Sequence, residues 1–128
     1  LGIAYKNLGE PRRAIEFYEQ WLTIAREIGD RRGEGAALGN LGIAYQNLGE
    51  LEKASGYYEQ QMTLARAIGD RLGEANACWN LGLLLEGQGE LPRAVELMQV
   101  AVDFYSSIGH PRAEELAAAV AEIRQKLE

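Results

Sequence analysis

Apolar residues recur at intervals of three and four along most of the chain. Between residues 51 and 68 they fall at Leu51, Ala54, Tyr58, Met62, Ala65 and Ile68. This spacing places the apolar residues on one face of an α-helix, and no segment shows the alternation that is typical of a β-strand. The pattern predicts a short helix over residues 1–8, followed by longer helices near 11–28, 31–48, 51–68, 71–88, 91–108 and 111–127.

Glycine separates the predicted helices at regular intervals, at Gly9, Gly29, Gly49, Gly69, Gly89 and Gly109. A glycine just past a helix end adopts the left-handed conformation without steric cost. Asp30 and Asp70 are suited to cap the helices that follow. Pro11, Pro92 and Pro111 are suited to first helical turns. Because the connections between helices are very short, consecutive helices are expected to be antiparallel neighbours.

The chain repeats its own sequence with a fixed period. LGIAY occurs at 1–5 and again at 41–45, and 24 of residues 1–40 are identical to the residue 40 positions later. A period of this length indicates stacked units, none of which buries its apolar face alone. We expect a single all-α domain with a first repeat over 1–29, truncated at its N-terminus, repeats over 30–69 and 70–109, and a capping helix over 110–128. The capping helix carries one narrow apolar stripe, at Leu116, Val120, Ile123 and Leu127.

The repeat resembles the tetratricopeptide repeat, which has Leu-Gly and an aromatic residue on its first helix, then alanine and a second aromatic on its second. The matching residues are Leu41, Gly42, Tyr45, Ala54 and Tyr58, with Leu1, Gly2, Tyr5, Ala14 and Tyr18 one period earlier. In the third copy Leu85 and Met98 replace the aromatic residues. The period of this chain is longer than the usual period of the family. This longer form of the repeat is similar to the repeats of Pins/LGN-type adaptors and to arrays attached to bacterial signalling proteins.

The resemblance implies a right-handed superhelical solenoid of antiparallel helix pairs that acts as a non-enzymatic protein–protein interaction scaffold. In this family the first helix of each repeat lines a concave groove that holds a peptide or a helix. The corresponding positions in this chain are Ile3, Asn7, Asn40, Ile43, Gln46, Asn47, Asn76, Trp79, Asn80, Leu83 and Glu86. Asparagine offers a donor and an acceptor to a peptide backbone, and tryptophan is enriched at binding hot spots. In the alternative interpretation the asparagines bridge repeats and Trp79 serves packing.

Composition narrows the classes of partner. A net charge of −6 and a pI of about 4.9 argue against binding to nucleic acid or to an anionic membrane surface. No apolar run approaches the roughly 18 residues of a membrane span, and Cys78 is the single cysteine. We expect a cytoplasmic protein whose partner is a protein or a peptide.

The start of the sequence adds two expectations. The chain opens within a repeat and without a signal peptide, so we expect a fragment of a longer protein. The apolar side of residues 1–8 would then lack its neighbour, which predicts self-association through this uncapped helix. A regulatory arm that docks on another domain of a larger bacterial signalling protein is the alternative function.

Candidate chemistry is sparse, and we expect neither an enzyme nor a cofactor or metal site. His110 stands where the turns before residues 31 and 71 carry aspartate, and Cys78 stands where the previous repeat carries a leucine. These residues are interpreted as a turn residue and a small core residue. Glu34 and Glu74 fall in first helical turns, where the helix dipole favours a carboxylate.

Two glycines inside the helix near 31–48 are unusual, because an interior glycine weakens a helix by up to about 1 kcal/mol relative to alanine. Gly35 and Gly39 are predicted to leave room for a ligand or for a bulky neighbour such as Trp21 or Trp79.

Overall fold

The computed structural model describes residues 11–127, which form six α-helices and no β-strand. The helices are α1 (Pro11–Ile28), α2 (Arg31–Asn47), α3 (Leu51–Ile68), α4 (Arg71–Gly87), α5 (Leu91–Ser107) and α6 (Ala113–Gln125). The all-α prediction is confirmed, and the predicted ends of α1 to α5 agree to within one residue. None of the six helices combines the length and apolar character needed to cross a membrane. The helix predicted over residues 1–8, and the self-association assigned to it, lie outside the described residues.

Five turns share one backbone geometry. Gly29, Gly49, Gly69, Gly89 and Gly109 have φ angles between +68° and +81°. At the first turn the N–H of Asp30 donates to the carbonyl of Ala25 at 2.8 Å, and each later turn has the equivalent bond. These bonds satisfy carbonyl groups that a helix end leaves free. Asp30 also caps α2 as predicted, because its Oδ1 accepts from the backbone N–H of Gly33 at 2.9 Å.

The start of α6 was predicted wrongly. Pro111 does not begin the helix, because residues 110–112 form a separate turn in which the N–H of Ala113 donates to the carbonyl of His110 at 3.1 Å. Nδ1 of His110 accepts from the N–H of Arg112, also at 3.1 Å. The imidazole therefore closes a tight turn, and the helix begins at Ala113 instead of Pro111.

The chain divides into two compact units, residues 1–70 and 71–128. In the first unit α2 packs against both α1 and α3. Its core is formed by Ala14, Ile15, Tyr18, Leu22, Ala37, Leu38, Leu41 and Ala44, and α3 buries Ala54, Tyr58, Met62 and Ala65. A Cβ added to Gly42 would lie 2.5 Å from the Tyr58 ring, so a glycine is needed for this close approach.

In the second unit α5 packs against α4 on one side and α6 on the other. Gly82 and Met98 meet at the positions that correspond to Gly42 and Tyr58. The buried face of α6 consists of Ala113, Leu116, Val120 and Ile123. Leu127, predicted to extend this stripe, is 46% exposed because the helix ends at Gln125. The division into repeats at 29/30, 69/70 and 109/110 stays a prediction.

Candidate peptide-binding faces

One face of α2 carries three of the predicted groove residues in the first unit. At about 3.6 residues per turn, Asn40, Ile43 and Asn47 fall within about 60° of one another around the helix. Asn47 is exposed, and Asn40 and Ile43 are half-buried. Nδ2 of Asn40 donates to the carbonyl of Ala36 at 3.0 Å. Among the described residues this is the bond that Asn40 makes, so Oδ1 and a second N–H remain available to a ligand.

Gln46 serves a different purpose from the other α2 residues. It lies about a quarter turn from them, and its Oε1 accepts from the hydroxyl of Tyr58 on α3 at 2.7 Å. Burial raises the pKa of the Tyr58 phenol to about 12. The Gln46 side chain thus joins α2 to α3.

The corresponding face of α4 is the most apolar part of the prediction. Asn76, Trp79, Asn80 and Leu83 fall within about 100° around the helix, and Glu86 lies at the side of this stripe. Leu83 is 42% exposed, Asn76 is exposed, and Trp79, Asn80 and Glu86 are half-buried. The face therefore offers an exposed aliphatic side chain and an indole between polar amides.

Asn76 is held by a contact inside the second unit. Its Oδ1 accepts from the hydroxyl of Tyr105 on α5 at 2.6 Å. Burial, and then the nearby Cys78, raise the pKa of the Tyr105 phenol. Asn76 therefore bridges α4 and α5 through its carbonyl oxygen, and its amide N–H groups take no part in this bond. Ile3 and Asn7, the remaining predicted groove residues, lie outside the described residues.

The neighbour of Gly39 is not a tryptophan. A Cβ added there would lie 2.9 Å from the amide atoms of Gln61, whereas at Gly35 the nearest atom is Cδ2 of Leu64 at 3.8 Å. The expectation of a bulky aromatic neighbour is thus corrected: Gly39 accommodates the end of a glutamine from α3. Oε1 of Gln61 is buried and has no hydrogen-bond partner among the described residues.

A polar cluster at the start of α2 was missed by the sequence analysis. Glu34 is only 7% exposed, and its two carboxylate oxygens pair with Nε of Arg26 and Nη1 of Arg31, each at 3.2 Å. The sequence indicated only that the helix dipole favours Glu34. The contact with Arg26 depends on how α1 packs against α2, which the spacing of residues does not reveal.

The charged residues of this cluster also line an open groove, which we call the α1–α3 groove. It has a volume of about 600 Å³ and is lined by Arg26 of α1, by Arg31, Glu34 and Leu38 of α2, and by α3 residues that include Gly56 and Leu64. The lining residues of α2 lie roughly half a turn from Asn40, Ile43 and Asn47. The groove is therefore a second surface of the first unit, separate from the predicted peptide-binding face.

A smaller groove of about 270 Å³ occupies the corresponding place in the second unit. It is lined by Arg71, Glu74, Val100, Phe104 and two neighbours. The guanidinium carbon of Arg71 lies 5.4 Å from the centre of the Phe104 ring. Arg71 and Phe104 stand one period after Arg31 and Leu64 in the sequence, so the two grooves are built at equivalent positions.

Sequence comparison relates the chain to known repeat proteins. A family model described as the tetratricopeptide repeat matches residues 1–67 and again residues 33–107. G-protein-signaling modulator 1 of Mus musculus and of Homo sapiens is 54% identical over 41 residues, which are 32% of this chain and 6% of the modulator. The matching segment is thus a small part of those longer proteins.

Solved structures show the same fold. BtubC (BKLC) from P. vanneervenii aligns with 98% of this chain and 61% of its own length, at 21% identity and a TM-score of 0.72. A Podosopora anserina protein assigned as a kinesin light chain with nearly identical TPR-like repeats aligns with 98% of this chain and 72% of its own, at 20% identity and a TM-score of 0.68. The sequence pattern, the helix pairs and these likenesses agree: the chain belongs to the tetratricopeptide repeat family.

Proposed function

We propose that this chain is a protein-interaction scaffold in which the α2 face of the first unit and the α4 face of the second unit each bind a peptide or a helix from a partner. The tetratricopeptide fold supports a scaffold of this general kind. The observation that carries the choice of face is the α4 stripe, where Leu83 is 42% exposed beside the half-buried Trp79 and Asn80. Covering the exposed part of one leucine contributes roughly 1 kcal/mol to binding.

The two faces differ in what they offer. Asn40 on α2 has an acceptor and a donor available, and Asn80 stands at the equivalent position of α4. Amide pairs of this kind bind a peptide backbone whatever its side chains. Specificity would then come from the residues that differ between the copies, above all Trp79 in place of Gly39.

The proposal is tested with peptides selected from a random library on the whole chain. We expect their affinity, measured by calorimetry, to fall at least tenfold in a Trp79→Ala, Leu83→Ala double variant. Val100→Ala is the matched control, because Val100 is 40% exposed and lies on α5. Equal affinities for the wild type and the double variant would move the binding site away from the α4 face.

Docking on another domain of the same polypeptide is the second candidate. In the G-protein-signaling modulators the matched segment is only 6% of the protein, so most of each polypeptide lies outside it. This observation favours the second candidate. Under this hypothesis a longer form of the chain would not bind the selected peptides, because its own domain would cover the α4 face. The Trp79→Ala, Leu83→Ala double variant of that longer form would release the domain, and the chain would be cleaved faster in limited proteolysis. Cys78 is buried and is the single cysteine of the sequence, so no disulfide joins the helices. We propose a reducing compartment such as the cytoplasm as the location for either function.

A further inference from the structure

The α1–α3 groove has features that the packing of the first unit does not explain. Gly56 lies in the interior of α3 and lines the groove, although a glycine there weakens the helix relative to alanine. No atom lies within 4 Å of a Cβ added at this position. The equivalent residues one period before and after are Glu16 and Glu96. The glycine therefore leaves space open where the other copies carry a long side chain.

The charged residues that line the groove are paired with one another, and the two arginines are partly exposed. Glu34 holds both Arg26 and Arg31, while 51% of the Arg26 side chain and 63% of the Arg31 side chain remain exposed. A guanidinium group that is held in its plane by a carboxylate still presents its flat face. That face stacks favourably on an aromatic ring.

The second unit shows what fills the equivalent space there. Phe104 extends from α5 and lies against the guanidinium group of Arg71. In the first unit the equivalent arginine is Arg31, but Leu64 takes the place of the phenylalanine. The groove that lacks the ring is about 600 Å³ in volume, against about 270 Å³ for the groove that contains it.

We propose that the α1–α3 groove is a second binding surface, which takes an aromatic side chain from a partner protein. The ring lies over Leu64 and beside Gly56, with its face against the Arg31 guanidinium, as Phe104 lies against Arg71. The volume is in the range of ordinary ligand sites. This surface lies on the side of α2 opposite Asn40 and Ile43. The proposal is therefore independent of the proposed peptide-binding faces.

The proposal is tested by nuclear magnetic resonance titration of the whole chain with N-acetyl-tryptophanamide, with N-acetyl-leucinamide as the aliphatic control. We expect the tryptophan probe to shift the resonances of Gly56 and Leu64 with a Kd on the order of millimolar, as for a small fragment. The leucine probe should bind at least several-fold more weakly. Equal binding of the two probes, or shifts confined to Asn40 and Ile43, would overturn the proposal.

Variants of the lining sharpen the experiment. Leu64→Phe supplies the ring from within the chain and should weaken the tryptophan probe at least tenfold, whereas the similar-sized Leu64→Met should leave it unchanged. Gly56→Glu introduces the residue that the other copies carry, and it should weaken the binding of the tryptophan probe as Leu64→Phe does. It serves as the second test if the larger ring of Leu64→Phe disturbs folding. Circular dichroism confirms the helical fold of each variant. Undiminished binding to a folded Leu64→Phe or Gly56→Glu variant would show that the ring does not enter this groove.

Discussion

Replacing Gly42 with alanine should destabilise the first unit, although alanine favours a helix. The added Cβ would lie 2.5, 2.7 and 3.0 Å from three atoms of the Tyr58 ring. This ring cannot move aside freely, because Tyr58 is 1% exposed and its hydroxyl is bound to Gln46. Either the ring or the α2–α3 spacing must therefore shift.

Two terms decide the size of the effect. Inserting a carbon into a well-packed site costs about 1–3 kcal/mol, and exchanging an interior glycine for alanine returns up to about 1 kcal/mol. We expect Gly42→Ala to lower the free energy of unfolding by about 1–2 kcal/mol. Gly56→Ala is the matched control, because nothing lies within 4 Å of its added Cβ. It should raise the free energy of unfolding by up to about 1 kcal/mol.

Urea unfolding followed by circular dichroism measures both variants, with unchanged m values as the sign that the unfolded state is unaffected. The expected difference in stability between them is about 1–3 kcal/mol, with opposite signs relative to wild type. A Gly42→Ala protein as stable as Gly56→Ala would refute the close-packing argument.

Three further results are expected. Asp30→Ala should lower the free energy of unfolding by about 1 kcal/mol in thermal unfolding, because the cap on the Gly33 N–H is lost; an unchanged stability would show that water replaces the cap. Glu34→Gln should cost no more than about 1 kcal/mol by urea unfolding, since both paired arginines are more than half exposed and stay hydrated; a loss several times larger would contradict this. The raised pKa of Tyr58, about 12 against 10.0, means that the unfolded phenol loses its proton first, so stability should fall as the pH rises from about 10 towards 12. Tyr58→Phe should reduce that fall in urea titrations at pH 9 and 11, chosen to lie roughly on either side of the unfolded pKa, and an identical slope would rule out Tyr58 as its source.

The sequence was sufficient for α1 to α5 because each end of these helices has a local signal. A glycine, a capping side chain or a proline marks each of these boundaries, and the bonds concerned join residues within a few positions of one another. The exception, the start of α6, arose where His110 replaced aspartate. Its imidazole Nδ1 accepts a hydrogen bond from the N–H of Arg112, which shapes a turn instead of a helix start.

Contacts between helices were less accessible to sequence analysis. Gln46 was predicted to line the groove from its place in the repeat, and the sequence did not reveal that its Oε1 accepts from the hydroxyl of Tyr58 on α3. Gly39 was predicted to leave room for a ligand or for a bulky neighbour such as Trp21 or Trp79, whereas the atoms nearest to a Cβ added there belong to Gln61 on α3. Such pairings depend on helix separation and axial offset, which the repeat period alone does not define.

The uniform turns have a consequence for how this chain can change in length. Every turn contains the same backbone bond, from the N–H after the glycine to a carbonyl in the last turn of the preceding helix. A segment of one full period thus begins and ends in the same local geometry wherever it is cut. Inserting or removing one such segment leaves all the remaining turns intact, so the number of modules can vary by simple duplication, and only the helix-facing side chains need to adapt to a new neighbour.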